Sequence, residues 1–455
     1  MNFYNRVNEK QRLHKAIQSP KANLIILYGR RRCGKSTLIK NVIRPNDVYF
    51  MAQQADETIQ RAQLASAIGE KITGFDEVLY PTWESLFISL NNIVKQTLTI
   101  CIDEFPYLVK SAPGLPSIIQ NMTDNNPNRK YHLILCGSSQ QMMQGLVLES
   151  SAPLYGRATE ILKITPLNAG FIQEALACSA VQAVTEYSVW GGVPRYWELR
   201  TNEGSFEMAI KNLILDKYGI LHEEPTRLFF DDMRESVQAY SILSIVGNGC
   251  NRLSEIAGRL NKPAGHLSRP IDNLIQLGYL KRQLPFGEPL KNSKKGLYRI
   301  SDPFMNFYFT FVSNNLSRLE LSLFEKVYSS IEPKIPQFVS LNWEELCRIS
   351  VPTHPVKNID FDVAFKWWGL NINNRPMEID VVAESLDKKY LLIGECKWSE
   401  INDTDELLQT LIQKASLLPF AQHKKVIPVL FVKETNKGSN ENILLPSDVM
   451  QRLTA

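Results

Sequence analysis

An eight-residue loop, Gly29-Arg30-Arg31-Arg32-Cys33-Gly34-Lys35-Ser36, constrains this chain more than any other segment. It follows the apolar run Leu24-Ile25-Ile26-Leu27-Tyr28 and fits G-x-x-x-x-G-K-[ST]. A short apolar run closed by glycine reads as a buried parallel strand, with a helix opening near Lys35. In that setting the glycines let the backbone curl so that its N–H groups face phosphate oxygens. Lys35 supplies a point charge at the β- and γ-phosphates, and Ser36 offers its hydroxyl to Mg²⁺. Thr37 completes the stretch expected to hold ATP.

Further apolar runs at 47–51, 98–102 and 132–136 alternate with helical stretches, which implies a doubly wound α/β sheet. Asp103-Glu104 closes the third run. Asp103 is expected to hold the magnesium shell and Glu104 to orient or activate the attacking water. Ser138 and Ser139 close the fourth run, where they could contact the γ-phosphate or the water. Arg157, in Tyr155-Gly156-Arg157, is either an arginine finger or an ordinary surface arginine.

At 455 residues the chain is too long for one core, and roughly three domains are expected. The pattern is helical over 166–235, interrupted by Gly191-Gly192-Val193-Pro194. Helices are expected at 240–246, 253–260 and 267–277, with Pro270 tolerable only in the first turn of the last. Two strands follow, around a Gly/Pro/Lys-rich loop. Three helices and a hairpin describe a winged helix-turn-helix. Residues 240–300 carry ten Lys or Arg against three Asp or Glu, a local excess of +7 in a chain of net charge +4. Such an excess suits a phosphate-backbone partner, here duplex DNA, or a solvated surface. Arg259, Lys262, Arg269, Lys291, Lys294 and Lys295 are the expected contacts.

The seven cysteines form no C-x-x-C pair, which argues against a disulfide framework and a zinc site. No apolar run approaches the roughly 18 residues that span a bilayer. The N-terminus lacks the apolar core of a secretory signal, so a cytoplasmic location is expected.

After an aromatic helical stretch from Pro303 to about residue 335, the last segment holds Asp380 and then Glu395-x-Lys397 on adjoining strands. This is the PD-(D/E)xK arrangement. Strand alternation puts Glu395 and Lys397 on one face, and Asp380 on the neighbouring strand can share a divalent cation with Glu395. Lys397 would stabilise charge or help position the nucleophile. The bland alternative is a set of surface charges on an edge strand.

Leu-Tyr-Gly-Arg-Arg-Arg-Cys-Gly-Lys-Ser ending at Ser36, Ile-Asp-Glu-Phe-Pro-Tyr-Leu at 102–108, Leu-Cys-Gly-Ser-Ser at 135–139 and Pro-Leu-Tyr-Gly-Arg at 153–157 together resemble the archaeal-type ATPase family of the STAND and AAA-related lineage. The resemblance implies that Pro194 sits against the adenine. Trp367-Trp368-Gly369, Glu378-Ile379-Asp380 and Gly394-Glu395-Cys396-Lys397-Trp398 resemble the nuclease-like domain that accompanies many members. Glu344 would supply the upstream helical carboxylate of such folds, with Glu345 as its rival.

The expected architecture is α/β: a P-loop ATPase core with a parallel sheet (1–165), a helical lid (166–235), a winged helix (236–302), a helical linker (303–335) and a restriction-endonuclease-like domain (336–455). The expected function is ATP binding and hydrolysis in the service of DNA, with a metal-dependent nuclease as effector and Mg²⁺ at both sites. The alternative is an ATP-gated switch or scaffold with an inert nuclease fold. A homo-oligomer is compatible with either.

Overall fold

The computed structural model describes residues 4–126, 128–232, 236–289, 291, 293 and 295–454. Its contacts divide the chain into two compact units, one built on Asn5–Pro166 and the other on Leu167–Phe229 with the residues from 236 onward.

The first unit is a parallel sheet of β1 (Leu24–Tyr28), β2 (Val48–Met51), β3 (Leu98–Asp103), β4 (Tyr131–Gly137) and β5 (Glu160–Lys163) in the order β2-β3-β4-β1-β5. Every residue of β1, β3 and β4 is buried, as expected of strands covered by helices on both faces. Tyr28 lies level with Gly137, and Met51 with Asp103. The three chemistry-bearing loops therefore leave the sheet side by side at its carboxyl edge, where open α/β sheets bind their ligands. Trp83, Phe87 and Tyr131 fill the core on one face.

The second unit begins with helices that include Ala180–Trp190 and Pro194–Thr201. Glu186 fixes this pair, accepting from the Trp190 indole at 2.6 Å and bridging to Arg200 at 2.7 Å. Helices Ser236–Gly247, Leu253–Arg259 and Ala264–Gln276 follow, and then an antiparallel pair, β6 (Leu280–Gln283) and β7 (Leu297–Ile300). The third helix starts earlier than its sequence suggests, so Pro270 lies inside it rather than in its first turn. An internal proline costs about 3 kcal/mol through the lost N–H bond and the ring clash. Burial of Leu267, Ile271 and Leu274 along one stripe offsets it.

The C-terminal sheet contains β8 (Phe365–Leu370), β9 (Pro376–Glu384), β10 (Tyr390–Glu400), β11 (Lys425–Glu434) and β12 (Ile443–Leu444), ordered β12-β11-β10-β9-β8. The first three form an antiparallel meander, and helix Thr404–Ser416 crosses over to make β11 parallel to β10. Helix Ile335–Ser350 packs on β10, where Trp343 meets the Trp398 ring at 5.3 Å, and the Trp343 indole donates to the Phe431 carbonyl of β11 at 3.2 Å. The loop after β6 also reaches this sheet. Phe286 donates its N–H to the Lys366 carbonyl at 3.0 Å and packs against Phe420 with ring centres 5.1 Å apart and planes tilted by 45°. No helix among the described residues is long and apolar enough to cross a membrane.

Candidate functional site

The loop after β1 turns through two glycines and a left-handed Arg32 at φ 66°. Gly29 has φ +151°, and a β-carbon there would lie 2.1 Å from the Ile164 carbonyl oxygen. Gly34 has φ +86°, a conformation that L side chains rarely adopt. Helix Lys35–Lys40 opens at once, and its first N–H groups have no partner within the helix. Lys35 is buried, and its Nζ donates to the Gly29 and Arg30 carbonyls at 2.8 and 3.0 Å. Such an ammonium can exchange these neutral acceptors for phosphate oxygens without entering water.

Ser36 donates to Asp103 Oδ2 at 2.6 Å, and Tyr49 donates to the same oxygen at 2.5 Å. Burial raises the Asp103 pKa. The hydroxyls of Ser36 and Tyr49, the Cys136 thiol and the Glu104 N–H overcome that and hold it below its ordinary value. An ionised carboxylate beside a serine hydroxyl suits an oxygen-coordinated Mg²⁺. Glu104 takes a left-handed backbone at φ 54°, which turns it out of β3. Its carboxylate accepts from Ser138 Oγ at 2.8 Å and Ser138 N–H at 3.3 Å. Glu104, Ser138 and the P-loop are thus drawn together from β3, β4 and β1. Ser139 flanks the start of helix Gln140–Val147 and makes no capping hydrogen bond with its side chain.

Three residues at this site were not singled out from the sequence. Arg6 is buried, with φ 68°, and donates to the carbonyls of Cys33 (3.2 Å) and Thr165 while pairing with Glu9 at 2.9 Å. It straps the P-loop from behind, and a lone arginine near the N-terminus gives no signal of that. Tyr49 marks itself only through strand pairing. Tyr107, inside the quoted Asp-Glu-Phe-Pro-Tyr stretch, accepts from Arg31 at 2.8 Å. Arg157 forms a two-pronged pair with Asp124, Nη2 to Oδ2 2.8 Å and Nε to Oδ1 2.9 Å. Pro194 opens helix Pro194–Thr201 in the other unit.

In the C-terminal sheet the β9–β10 ladder runs to Gly394 opposite Val381 and stops one pair short of Asp380 and Glu395. The Asp380 carboxylate instead accepts the Cys396 N–H at 3.0 Å, and its carbonyl takes Arg348 at 2.8 Å. A register shift between β8 and β9 accompanies this departure. Lys366 Nζ stands 3.1 Å from Glu344, 3.4 Å from Asp380 and 3.5 Å from Glu378. Glu395 lies between Lys397 at 2.8 Å and Lys414 at 2.9 Å. Burial and then the Glu344 charge raise the Asp380 pKa; Lys397 and Lys414 lower that of Glu395 against its burial. Among the described residues no group of three or more His, Cys, Asp or Glu is arranged to hold a metal ion. Lys294 lies outside the described residues.

Of the two neighbouring glutamates, Glu344 stands beside Asp380 through Lys366, whereas Glu345 pairs with Lys281 of β6 at 2.5 Å and Arg348 at 2.9 Å. Burial pushes the Glu345 carboxyl up, but the Lys281 and Arg348 cations hold it down at about 2. A depressed carboxyl contributes stability above its ordinary value of 4.5 and loses it as pH falls towards 2. Glu345→Gln should therefore lower the melting temperature at neutral pH and flatten its decline across that acid window. Thermal melts of both proteins between pH 7 and about 2 check this; parallel curves would remove Glu345 from the acid response.

Residues 3–198 match a family model described as an ATPase domain predominantly from Archaea, and residues 308–407 match archaeal and bacterial proteins of unknown function. An uncharacterized protein of Methanocaldococcus jannaschii is 29% identical over 450 residues, covering 97% of this chain and 98% of its own. An uncharacterized ATP-binding protein of the same organism is 54% identical over 41 residues, which are 9% of this chain and 70% of that protein. Among solved structures, the Walker-type ATPase of Pyrococcus abyssi superposes with a TM-score of 0.53 at 19% identity, covering 68% of this chain and 96% of that one. This last likeness concerns the fold.

Proposed function

We propose that this chain, which carries at 3–198 a P-loop ATPase domain of the kind found predominantly in Archaea, hydrolyses ATP to act on duplex DNA and cuts it with its C-terminal domain. One observation carries the nuclease part: Asp380 and Glu395 stand on adjacent strands one pair beyond the last rung of the β9–β10 ladder, with one Asp380 oxygen accepting the Cys396 N–H. Glu344 adds a third carboxylate beside Asp380, and Lys397 is the cation next to Glu395. A divalent cation held by Asp380 and Glu395 would polarise the phosphate and acidify a bound water. Around it, Lys397 would neutralise developing charge and Glu344 would orient the water. The DNA part rests on reading the three helices and the antiparallel pair as a winged helix, and on Arg259, Lys262, Arg269, Lys291 and Lys295, all exposed.

A second reading has one specific observation in its favour. The Lys366 ammonium stands where Glu344 and Asp380 approach each other, and Glu395 is already neutralised by two lysines. A carboxylate set balanced by its own lysines needs no metal, so the domain would be a scaffold gated by ATP.

Plasmid cleavage separates the two readings. With Mg²⁺ or Mn²⁺ and ATP the wild type should nick supercoiled DNA. Lys397→Ala should lose at least about 10²-fold in rate, as expected when a transition-state charge loses its partner. Nicking that persists at the wild-type rate in Lys397→Ala and Asp380→Ala would reject this centre. Nucleotide-dependent assembly with no cleavage would favour the scaffold.

A further inference from the structure

Arg31 lies in the P-loop, yet its side chain leaves the loop and reaches the strand ends beside it. Its Nε donates to Ser138 Oγ at 3.4 Å and its Nη2 to the Tyr107 hydroxyl at 2.8 Å. Ser138 Oγ in turn donates to Glu104 Oε2 at 2.8 Å. One hydroxyl therefore separates the guanidinium from the carboxylate expected to activate water. β1 and β4 are direct neighbours with Tyr28 level with Gly137, so the P-loop and Ser138 start from the same height.

The position of the γ-phosphate follows from its neighbours. It must be reachable from Lys35 and Ser36 on one side, and the attacking water must be reachable from Glu104 on the other. A side chain that spans from the P-loop to Ser138 borders that interval. A guanidinium there has the right chemistry: permanent charge and a planar fork that grips two phosphate oxygens. Arg157, the other candidate, is committed to Asp124 by a two-pronged pair.

We propose that Arg31 is a catalytic residue for ATP hydrolysis, an arginine finger supplied within the same chain. With ATP bound, the guanidinium turns from Ser138 and Tyr107 onto the γ-phosphate, and Glu104 takes the water. The water oxygen forms a bond to the γ-phosphorus. The bond to the β–γ bridging oxygen breaks, and its electron pair leaves with ADP. The water's proton passes to Glu104 and then to solvent, and inorganic phosphate departs. Arg31 balances the charge that gathers on the γ-phosphoryl and bridging oxygens.

The test is single-turnover hydrolysis together with trapping of ADP and tetrafluoroaluminate, a planar mimic of the transferring phosphoryl group. Arg31→Ala should bind ADP within about threefold of wild type, hydrolyse ATP about 10³-fold more slowly and fail to form the trapped complex. Wild-type turnover per chain should not depend on protein concentration. Trapping that survives in Arg31→Ala, or a rate per chain that rises with concentration, would overturn the proposal, the latter because a second copy would then supply the cation. Should alanine also abolish ADP binding, Arg31→Lys decides. It keeps the loop's charge and loses the fork, so it should bind ADP and still not trap, and a lysine variant that traps like wild type sinks the idea.

Discussion

Glu104→Gln is expected to bind ATP as wild type does and to turn it over about 10²–10⁴-fold more slowly, the range that general-base catalysis supplies. The substitution keeps the side chain's length, so Ser138 still has an oxygen to donate to. It also leaves the left-handed turn at φ 54° no more strained than before. What it removes is the capacity to take a proton from water. Asp103 cannot substitute, because both of its oxygens already accept bonds, Oδ2 from Ser36 and Tyr49 and Oδ1 from the Glu104 N–H. Phosphate release measured beside binding of a fluorescent ATP analogue separates the two steps. Undiminished turnover would mean that another group activates the water.

The nucleotide site was legible because its parts announce themselves over short stretches. An apolar run ending in glycine fixes β1, an acidic pair fixes the end of β3, and both are local patterns. β5 was not anticipated: it has four residues of mixed burial at the sheet edge, too short for a period to show. Pro270 misled because a proline in a sequence argues for a helix start, whereas burial of one apolar stripe carried the helix through it. Asp380, Glu395 and Lys397 were visible as a pattern. Lys366 and Lys414 were not, since nothing in their own neighbourhoods says which carboxylate they will meet. The choice between Glu344 and Glu345 was likewise beyond a sequence argument: adjacent residues on one helix differ by about 100° in direction, and only the packing of β6 and β8 says which way each points.

Lys35→Ala is expected to reduce ATP affinity by at least about 10²-fold and to bring hydrolysis below detection, because the charge at the β- and γ-phosphates is lost from ground state and transition state alike. The neighbouring arginines do not offer a replacement. Arg31 approaches from the Ser138 side, and none of Arg30, Arg31 and Arg32 carries the compact ammonium that Lys35 seats against the loop's own carbonyls. Lys35 has two tasks that alanine separates. Its bonds to the Gly29 and Arg30 carbonyls tie the empty loop together, and their loss costs about 1–3 kcal/mol if those oxygens stay dry. Its charge acts only on the nucleotide. A loop that had merely unravelled would lose ADP and ATP alike and would melt earlier. A loop that had lost the charge alone would keep its melting temperature within a few degrees and lose ATP more than ADP, since the γ-phosphate is the part that ADP lacks. Calorimetric titration with each nucleotide beside a thermal melt reads both quantities. ATP affinity within about threefold of wild type in Lys35→Ala would deny Lys35 its part in phosphate binding, because a buried cation facing a triphosphate cannot be removed at so small a cost.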